Sequence, residues 1–209
     1  MHFLITAGGT REYIDPVRFI SNASSGKMGC ALARAALRAG HKVTLITAPM
    51  ARRLPDGAKV IKVESAAEMF EAVKKHFAKC NCLIMAAAVA DYTPARPAKT
   101  KLKKTADSLT LKLKPTADIL KWAGSHKKGK QILVGFALED KALRTRAEKK
   151  MKEKNLDMII ANTPAAIGAE ESSVLMKICG GRWVELAATR KAVVARRVVR
   201  EVDSLYGWP

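Results

Sequence analysis

Aromatic residues are scarce in this 209-residue chain, where three Trp, three Tyr and five Phe make up 5 % of the total. With so few flat side chains, a stacking platform for single-stranded nucleic acid is hard to assemble. Cysteine occurs only at positions 30, 80, 82 and 179, which is no dense disulfide framework and points to a reducing compartment. The histidines at 2, 41, 76 and 126 are scattered, none a helical turn from another, so the converging ligands of a structural zinc site are not offered. No stretch reaches the about 18 apolar residues of a membrane-crossing helix, and the N-terminus lacks the basic lead and apolar core of a secretion signal. A cytoplasmic protein with no membrane association is expected. Acidic residues are also short: 19 Asp and Glu against 38 Lys and Arg leave a net charge of +19. A surplus of that size favours polyanions or multiply phosphorylated small molecules.

What is present suits one folded domain over residues 1–209. The chain is 48 % hydrophobic, with alternating short β-rich runs and longer stretches of helical period. Strands are expected at residues 3–7, 43–47, 60–63, 83–87, 132–136 and 158–161, and helices at 24–39, 66–77, 118–123 and 141–154. A hairpin of 174–178 and 183–186, turning through Gly180-Gly181, precedes a closing helix over about 190–205. Strands flanked by helices read as an α/β fold with a doubly wound, mostly parallel, Rossmann-like sheet. Residues 8–23 form a long loop after the first strand.

Residues 96–115 break this alternation. Lys99, Lys101, Lys103 and Lys104 precede Leu109, Leu111 and Leu113, which alternate with Thr110, Lys112 and Lys114, so a half-exposed, two-stranded, flap-like excursion is expected. Between Arg96 and Lys154 there are 18 Lys and Arg against 6 Asp and Glu, so +12 of the +19 lies there.

In an open α/β sheet, ligands bind beyond the carboxyl ends of the strands. The first loop there ends in Ser24-Ser25-Gly26-Lys27, which offers backbone N–H groups, hydroxyls and a helix dipole to an anion, or alternatively just a helix cap. It is no Walker A loop, since Ser21 stands where that motif needs Gly and Met28 follows the lysine. Nor is it a Gly-x-Gly-x-x-Gly turn, because the helix starts well after Gly8-Gly9. A second loop, Ala86-Ala87-Ala88-Val89-Ala90-Asp91, combines small residues that admit a flat ligand with one acid for a sugar hydroxyl or a metal; tight helix packing with a cap is the alternative. Lys150 and Lys154, four apart, share a helix face that either meets a phosphate or is simply solvated.

These residues carry a resemblance. Ile5-Thr6-Ala7-Gly8-Gly9-Thr10-Arg11-Glu12, the stretch Asp15-Pro16-Val17-Arg18-Phe19-Ile20-Ser21-Asn22-Ala23-Ser24-Ser25-Gly26-Lys27-Met28-Gly29, Ala86-Ala87-Ala88-Val89-Ala90-Asp91-Tyr92, Lys101-Leu102-Lys103-Lys104, Val134-Gly135-Phe136-Ala137 and Lys154-Asn155-Leu156-Asp157 resemble, in order, the phosphopantothenate–cysteine ligases of coenzyme A biosynthesis. The resemblance implies a ligase that uses Mg2+ and CTP, or ATP as eukaryotic relatives do, to activate 4′-phosphopantothenate as an acyl-nucleotide before the amine of L-cysteine attacks. It implies that Asn22 holds the acyl carbonyl, Arg18 the phosphopantothenate side and Lys101 the triphosphate charge. Ala86, Ala87 and Asp91 would take base and ribose; Phe136, Lys150 and Lys154 would complete the nucleotide pocket, with Ala117, Asp118, Ile119 and Leu120, where Thr116-Ala117 replaces the family's Asn-Pro. Gly8, Met85, Ser24, Ser25 and Gly26 complete the expected nucleotide set, and metal ligands stay unassigned. The family is dimeric, with the flap reaching the other copy's site, and its bacterial members are usually fused behind a flavin-dependent decarboxylase, so a homodimer and a decarboxylase partner are expected. Further departures are Asn162-Thr163 for Asn-Asp, and Glu171-Ser172-Ser173-Val174 where an Asp-Asn pair is common. A nicotinamide-dependent reductase or a basic nucleic-acid-binding protein is the alternative, though the charge surplus has no recognition motif beside it.

Overall fold

A computed structural model describes residues 1–104, 108–169 and 171–208. The chain runs β1 (His2–Ala7), β2 (Arg11–Tyr13), β3 (Phe19–Ser21), α1 (Lys27–Arg38), β4 (Lys42–Thr47), β5 (Lys59–Lys62), α2 (Ala66–Phe77), β6 (Cys82–Met85), β7 (Tyr92–Pro94), β8 (Leu113–Pro115), α3 (Ile119–His126), β9 (Ile132–Leu138), α4 (Leu143–Glu153), β10 (Met158–Asn162), β11 (Glu171–Ile178), β12 (Trp183–Arg190) and α5 (Lys191–Tyr206). Eight strands form one sheet in the order β12-β11-β10-β9-β6-β1-β4-β5, parallel from β10 to β5 and closed by antiparallel β11 and β12. From β1 the chain moves outward to β4 and β5, then returns to β6 on β1's other side. The reversal between β1 and β6 is the switch point where a ligand crevice opens.

Successive residues of β1 face opposite layers. Phe3 and Ile5 pack with Leu32 and Ala36 of α1 and Val194, Val198 and Val202 of α5. Leu4 faces the other layer, with Met69 and Val73 of α2, Ala123 of α3 and Met151 of α4. Burial on both faces explains why the central strands read as continuous apolar runs.

The Rossmann-like α/β expectation holds, with three local corrections. The helix expected from residue 24 starts at Lys27, because Gly26 holds a left-handed φ of 69° that no helical residue shares. The loop expected at 8–23 contains an antiparallel pair, with Glu12 opposite Ile20. That pair is tied to the body by the buried Glu12 carboxylate, which accepts the Ala66 N–H at 2.8 Å. The excursion pairs at its base, Tyr92 opposite Pro115 and Pro94 opposite Leu113, upstream of residue 96 as well as within it. The leucine alternation from 109 forms no strand before Leu113, and Leu109 stays 62 % exposed because no neighbouring strand covers it.

Candidate active site

A cleft of about 870 Å3 opens at the carboxyl ends of β6, β9 and β10 and takes in the N-terminal ends of α1, α3 and α5. From the α1 entrance come Asn22, Ser24, Ser25 and Gly26; from the end of β6 and its loop, Met85, Ala86, Ala87 and Asp91. The entrance to α3 supplies Ala117, Asp118, Ile119 and Leu120, while β9 and α4 supply Phe136, Lys150 and Lys154. Fifteen expected residues thus meet in one cavity.

The α1 entrance is open rather than capped. Its N-cap is Gly26, with no side-chain hydrogen bond to the helix, and the Ser24 hydroxyl accepts only the Gly26 N–H at 3.4 Å. The first-turn N–H groups of α1 and its positive dipole end are therefore left to an anion. Asn22 joins this loop to the next one, its amide nitrogen donating to the carbonyls of Ala88 at 3.2 Å and Val89 at 3.1 Å. Residues 86–91 lead into β7 rather than into a helix, so they form no helix cap. Among the described residues the Asp91 side chain makes no hydrogen bond or ion pair.

Lys150 of α4 and Lys154 at its C-cap turn inward. Lys154 pairs with Asp118 at 2.8 Å, and Asp118 also caps α3 by accepting the Lys121 N–H at 2.9 Å. Burial pushes the Asp118 carboxyl up, yet the Lys154 ammonium and the Lys121 N–H outweigh it and hold the group below the usual carboxylate range. Lys150 donates to the Phe136 carbonyl at 2.7 Å. Its own burial, then the charge of Lys154, push its pKa below that of an ordinary lysine. Two close ammoniums disfavour each other until an anion arrives between them.

Gly8, Arg18 and Lys101 do not line the cleft. Gly8 lies beneath it, turned toward Ala48 and Met50, with its carbonyl accepting the Ala88 N–H at 2.8 Å. Arg18 is held by Asp15, Nε to Oδ2 at 3.0 Å, and donates to the Leu102 carbonyl at 3.0 Å. Asp15 is buried and also accepts the Leu102 N–H at 3.1 Å. The Arg18 guanidinium and three backbone N–H groups hold its carboxyl far below the usual range. This pair grips the backbone beside Lys101, whose own side chain is exposed. Asp15 was no candidate from sequence, and only its setting in the Asp15-Pro16-Val17-Arg18 stretch pointed to it.

Sequence reasoning also missed Asn162, Ile167, Gly168 and Lys191, which close the far side of the cleft. Of the Asn162-Thr163 pair, Asn162 therefore lies at the site. Lys191 donates to the Ala166 and Ala169 carbonyls, and Lys27 to that of Gly168, fastening this wall to the first turns of α5 and α1. Among the described residues no group of three or more His, Cys, Asp or Glu converges as a metal site. Cys30, Cys80, Cys82 and Cys179 are free, and burial pushes the Cys80 thiol up to about 12. No helix among the described residues is long and apolar enough to cross a membrane.

The profile of the DNA/pantothenate metabolism flavoprotein C-terminal domain family matches residues 1–206. The chain belongs to this family. The coenzyme A biosynthesis bifunctional protein CoaBC of Bacillus subtilis is 45 % identical over 209 residues, covering 98 % of this chain and 51 % of that protein. A cysteine/cysteine sulfinic acid decarboxylase from an unknown prokaryotic organism is 43 % identical over 206 residues, covering 96 % of this chain and 57 % of its own. The crystal structure of the C-terminal domain of CoaBC superposes with a TM-score of 0.85 at 38 % identity, covering 99 % of this chain and 95 % of that one. The chain spans about half the length of these curated relatives. It is homologous to the C-terminal domain of CoaBC and carries the same fold.

Proposed function

We propose that the chain is a phosphopantothenate–cysteine ligase that forms 4′-phosphopantothenoylcysteine through an acyl-cytidylate. In the first step a carboxylate oxygen of 4′-phosphopantothenate attacks the α-phosphorus of CTP, and the bond to the β-phosphate breaks to release pyrophosphate. In the second, the cysteine nitrogen attacks the acyl carbon, loses a proton, and CMP leaves.

The observation that carries this reading is the convergence of an uncapped α1 N-terminus, Lys150 and Lys154 on one cleft at the sheet's switch point. The small side chains of Ala86 and Ala87 admit a base against Phe136, and the two lysines meet the phosphates. Asn22 lies between the two loops, where an amide donates to a developing oxyanion without titrating. Mg2+ fits as a companion of the triphosphate, held by phosphate oxygens and one or two carboxylates. Asp91 would hold it, or else a ribose hydroxyl, since Asp118 and Glu139 already pair with Lys154 and Arg146. The metal would supply charge neutralisation at the phosphates.

Arg18 and Asp15 position the segment that bears Lys101, and Lys101 serves the cleft of a second copy. A homodimer built on this face would cover Val17, Phe19, Tyr92, Leu109 and Leu113, all at least 40 % exposed. A relative named as a bifunctional protein of coenzyme A biosynthesis supports a place in that biosynthesis, and a cytoplasmic setting suits the four free cysteines. Turnover with CTP, ATP and UTP side by side, with products resolved by mass, tests the reading. Formation of the nucleoside monophosphate and the amide is expected, fastest with CTP. Release of nucleoside diphosphate and phosphate would replace the acyl-nucleotide route with an acyl-phosphate one.

A further inference from the structure

The wall that carries Lys150 and Lys154 is set from the far end of α3. Helix α4 ends in a Schellman turn, in which the Leu156 N–H donates to the Met151 carbonyl at 3.0 Å and the Asn155 N–H to that of Lys152 at 3.3 Å. The left-handed residue of this turn is Asn155, at φ 50°, rather than glycine. Its side-chain amide donates to the Gly124 carbonyl of α3 at 3.1 Å. Gly124 has no room for a methyl group, because a Cβ there would stand 2.0 Å from the Lys154 carbonyl oxygen and 2.8 Å from its carbon. Beyond it, Lys127 reaches the Asn155 carbonyl at 3.3 Å and the Asp157 carboxylate at 2.9 Å, and Asp157 accepts the Leu133 N–H of β9 at 2.7 Å. Helix α3, the end of α4 and the start of β9 are thus joined through the close Gly124–Lys154 approach and the Asn155, Lys127 and Asp157 side chains.

This junction decides where the lysines arrive. Asp118 caps α3 six residues before Gly124, about 9 Å along the axis at about 1.5 Å per residue. From the turn, the Lys154 side chain reaches along α3 to the Asp118 carboxylate. Lys150, one helical turn earlier, arrives at the Phe136 carbonyl. If the turn rode further from α3, both ammoniums would withdraw together.

We propose that the Gly124–Asn155 contact is a positioning clamp that sets the reach of Lys154, and with it Lys150, toward the phosphates of a nucleoside triphosphate. The proposal rests on the nucleotide-binding reading of the cleft. Neither Gly124 nor Asn155 lines the cavity, so both are positioning residues that act through the lysines.

Steady-state kinetics with CTP and phosphopantothenate varied separately test the clamp. Gly124→Ala must displace the turn by roughly an ångström, a shift that costs up to about 100-fold when reacting groups are misplaced. The KM for CTP should rise at least about tenfold while that for phosphopantothenate stays within about twofold. Asn155→Gly keeps the left-handed turn and loses only the amide bond, so it should fold even where Gly124→Ala does not, with a KM for CTP raised several-fold. The deciding arm repeats both substitutions in a Lys150→Met/Lys154→Met background. There neither should raise the KM for CTP further, because both side chains they position are gone. Full, additive effects in that background, or equal losses for both substrates, overturn the clamp alone. Absence of nucleotide-dependent turnover in the unaltered protein overturns the reading of the cleft and the clamp with it.

Discussion

Replacing Lys154 by Met separates a binding role from a structural one. The ammonium lies 2.8 Å from Asp118, with side-chain exposures of 21 % and 42 %. A pair this open is worth about 0.2–1 kcal/mol to folding. In a chain of this size about 1 kcal/mol moves Tm by about 2–4 °C, so the variant should melt within about 4 °C of the parent. A charged donor on a phosphate is worth about 1.5–3 kcal/mol. At about 1.4 kcal/mol per decade that is a tenfold to hundredfold rise in the KM for CTP. The upper end applies here, because methionine also leaves the Asp118 carboxylate facing the phosphates without its counter-charge. Lys154→Met/Asp118→Asn removes that repulsion and should recover part of the loss. The assay is pyrophosphate release at varied CTP, with calorimetric melting of each variant. A large fall in Tm with an unchanged KM for CTP would refute the reasoning, since Lys154 would then hold the fold rather than the ligand.

Lys150 gives a pH test. Its folded pKa lies below the unfolded lysine value, so the unfolded chain binds the extra proton and stability rises with pH between those two values. Melting of the parent against Lys150→Met should show the parent gaining relative stability toward alkaline pH. In that same direction the KM for CTP should rise in the parent and stay level in Lys150→Arg, which keeps its charge; identical profiles would count against a phosphate role. Asn22→Asp replaces an amide donor near two carbonyls with an acceptor. Pyrophosphate release should persist while amide formation falls roughly 100- to 1000-fold, the cost of one oxyanion donor; equal loss of both half-reactions would contradict the assignment. Asp15→Asn should loosen the backbone at Leu102 and slow activation as Lys101→Gln does, with no further loss when combined, and independent, multiplying losses would disconnect the two.

The fold was largely legible because it follows local pattern. Helix α2 spans residues 66–77, as its apolar spacing indicates, with Ser65 capping it in the structure, and the central strands are continuous apolar runs because both faces are covered. The pair β2 and β3 was not legible. Its three-residue strands are fixed by tertiary contacts such as the Glu12 carboxylate on the start of α2, which no periodicity announces. At the site, spacing alone put Lys150 and Lys154 on one helix face. Whether that face met solvent or a cleft depended on how closely α3 passes the end of α4, and Gly124 reveals that only once both backbones are in place. Lys101 shows the converse, a residue singled out by its motif whose side chain lies outside the cleft and whose segment is gripped by Asp15 and Arg18.

The central claim is that a carboxylate is activated as an acyl-nucleotide before cysteine arrives. Single-turnover reaction of the protein with CTP, Mg2+ and 4′-phosphopantothenate, with cysteine withheld, tests it most directly. Stoichiometric pyrophosphate release is predicted, together with a species of the mass of 4′-phosphopantothenoyl-CMP that yields CMP and the amide when cysteine is added. No pyrophosphate with any nucleoside triphosphate, or release that does not depend on phosphopantothenate, would contradict the account.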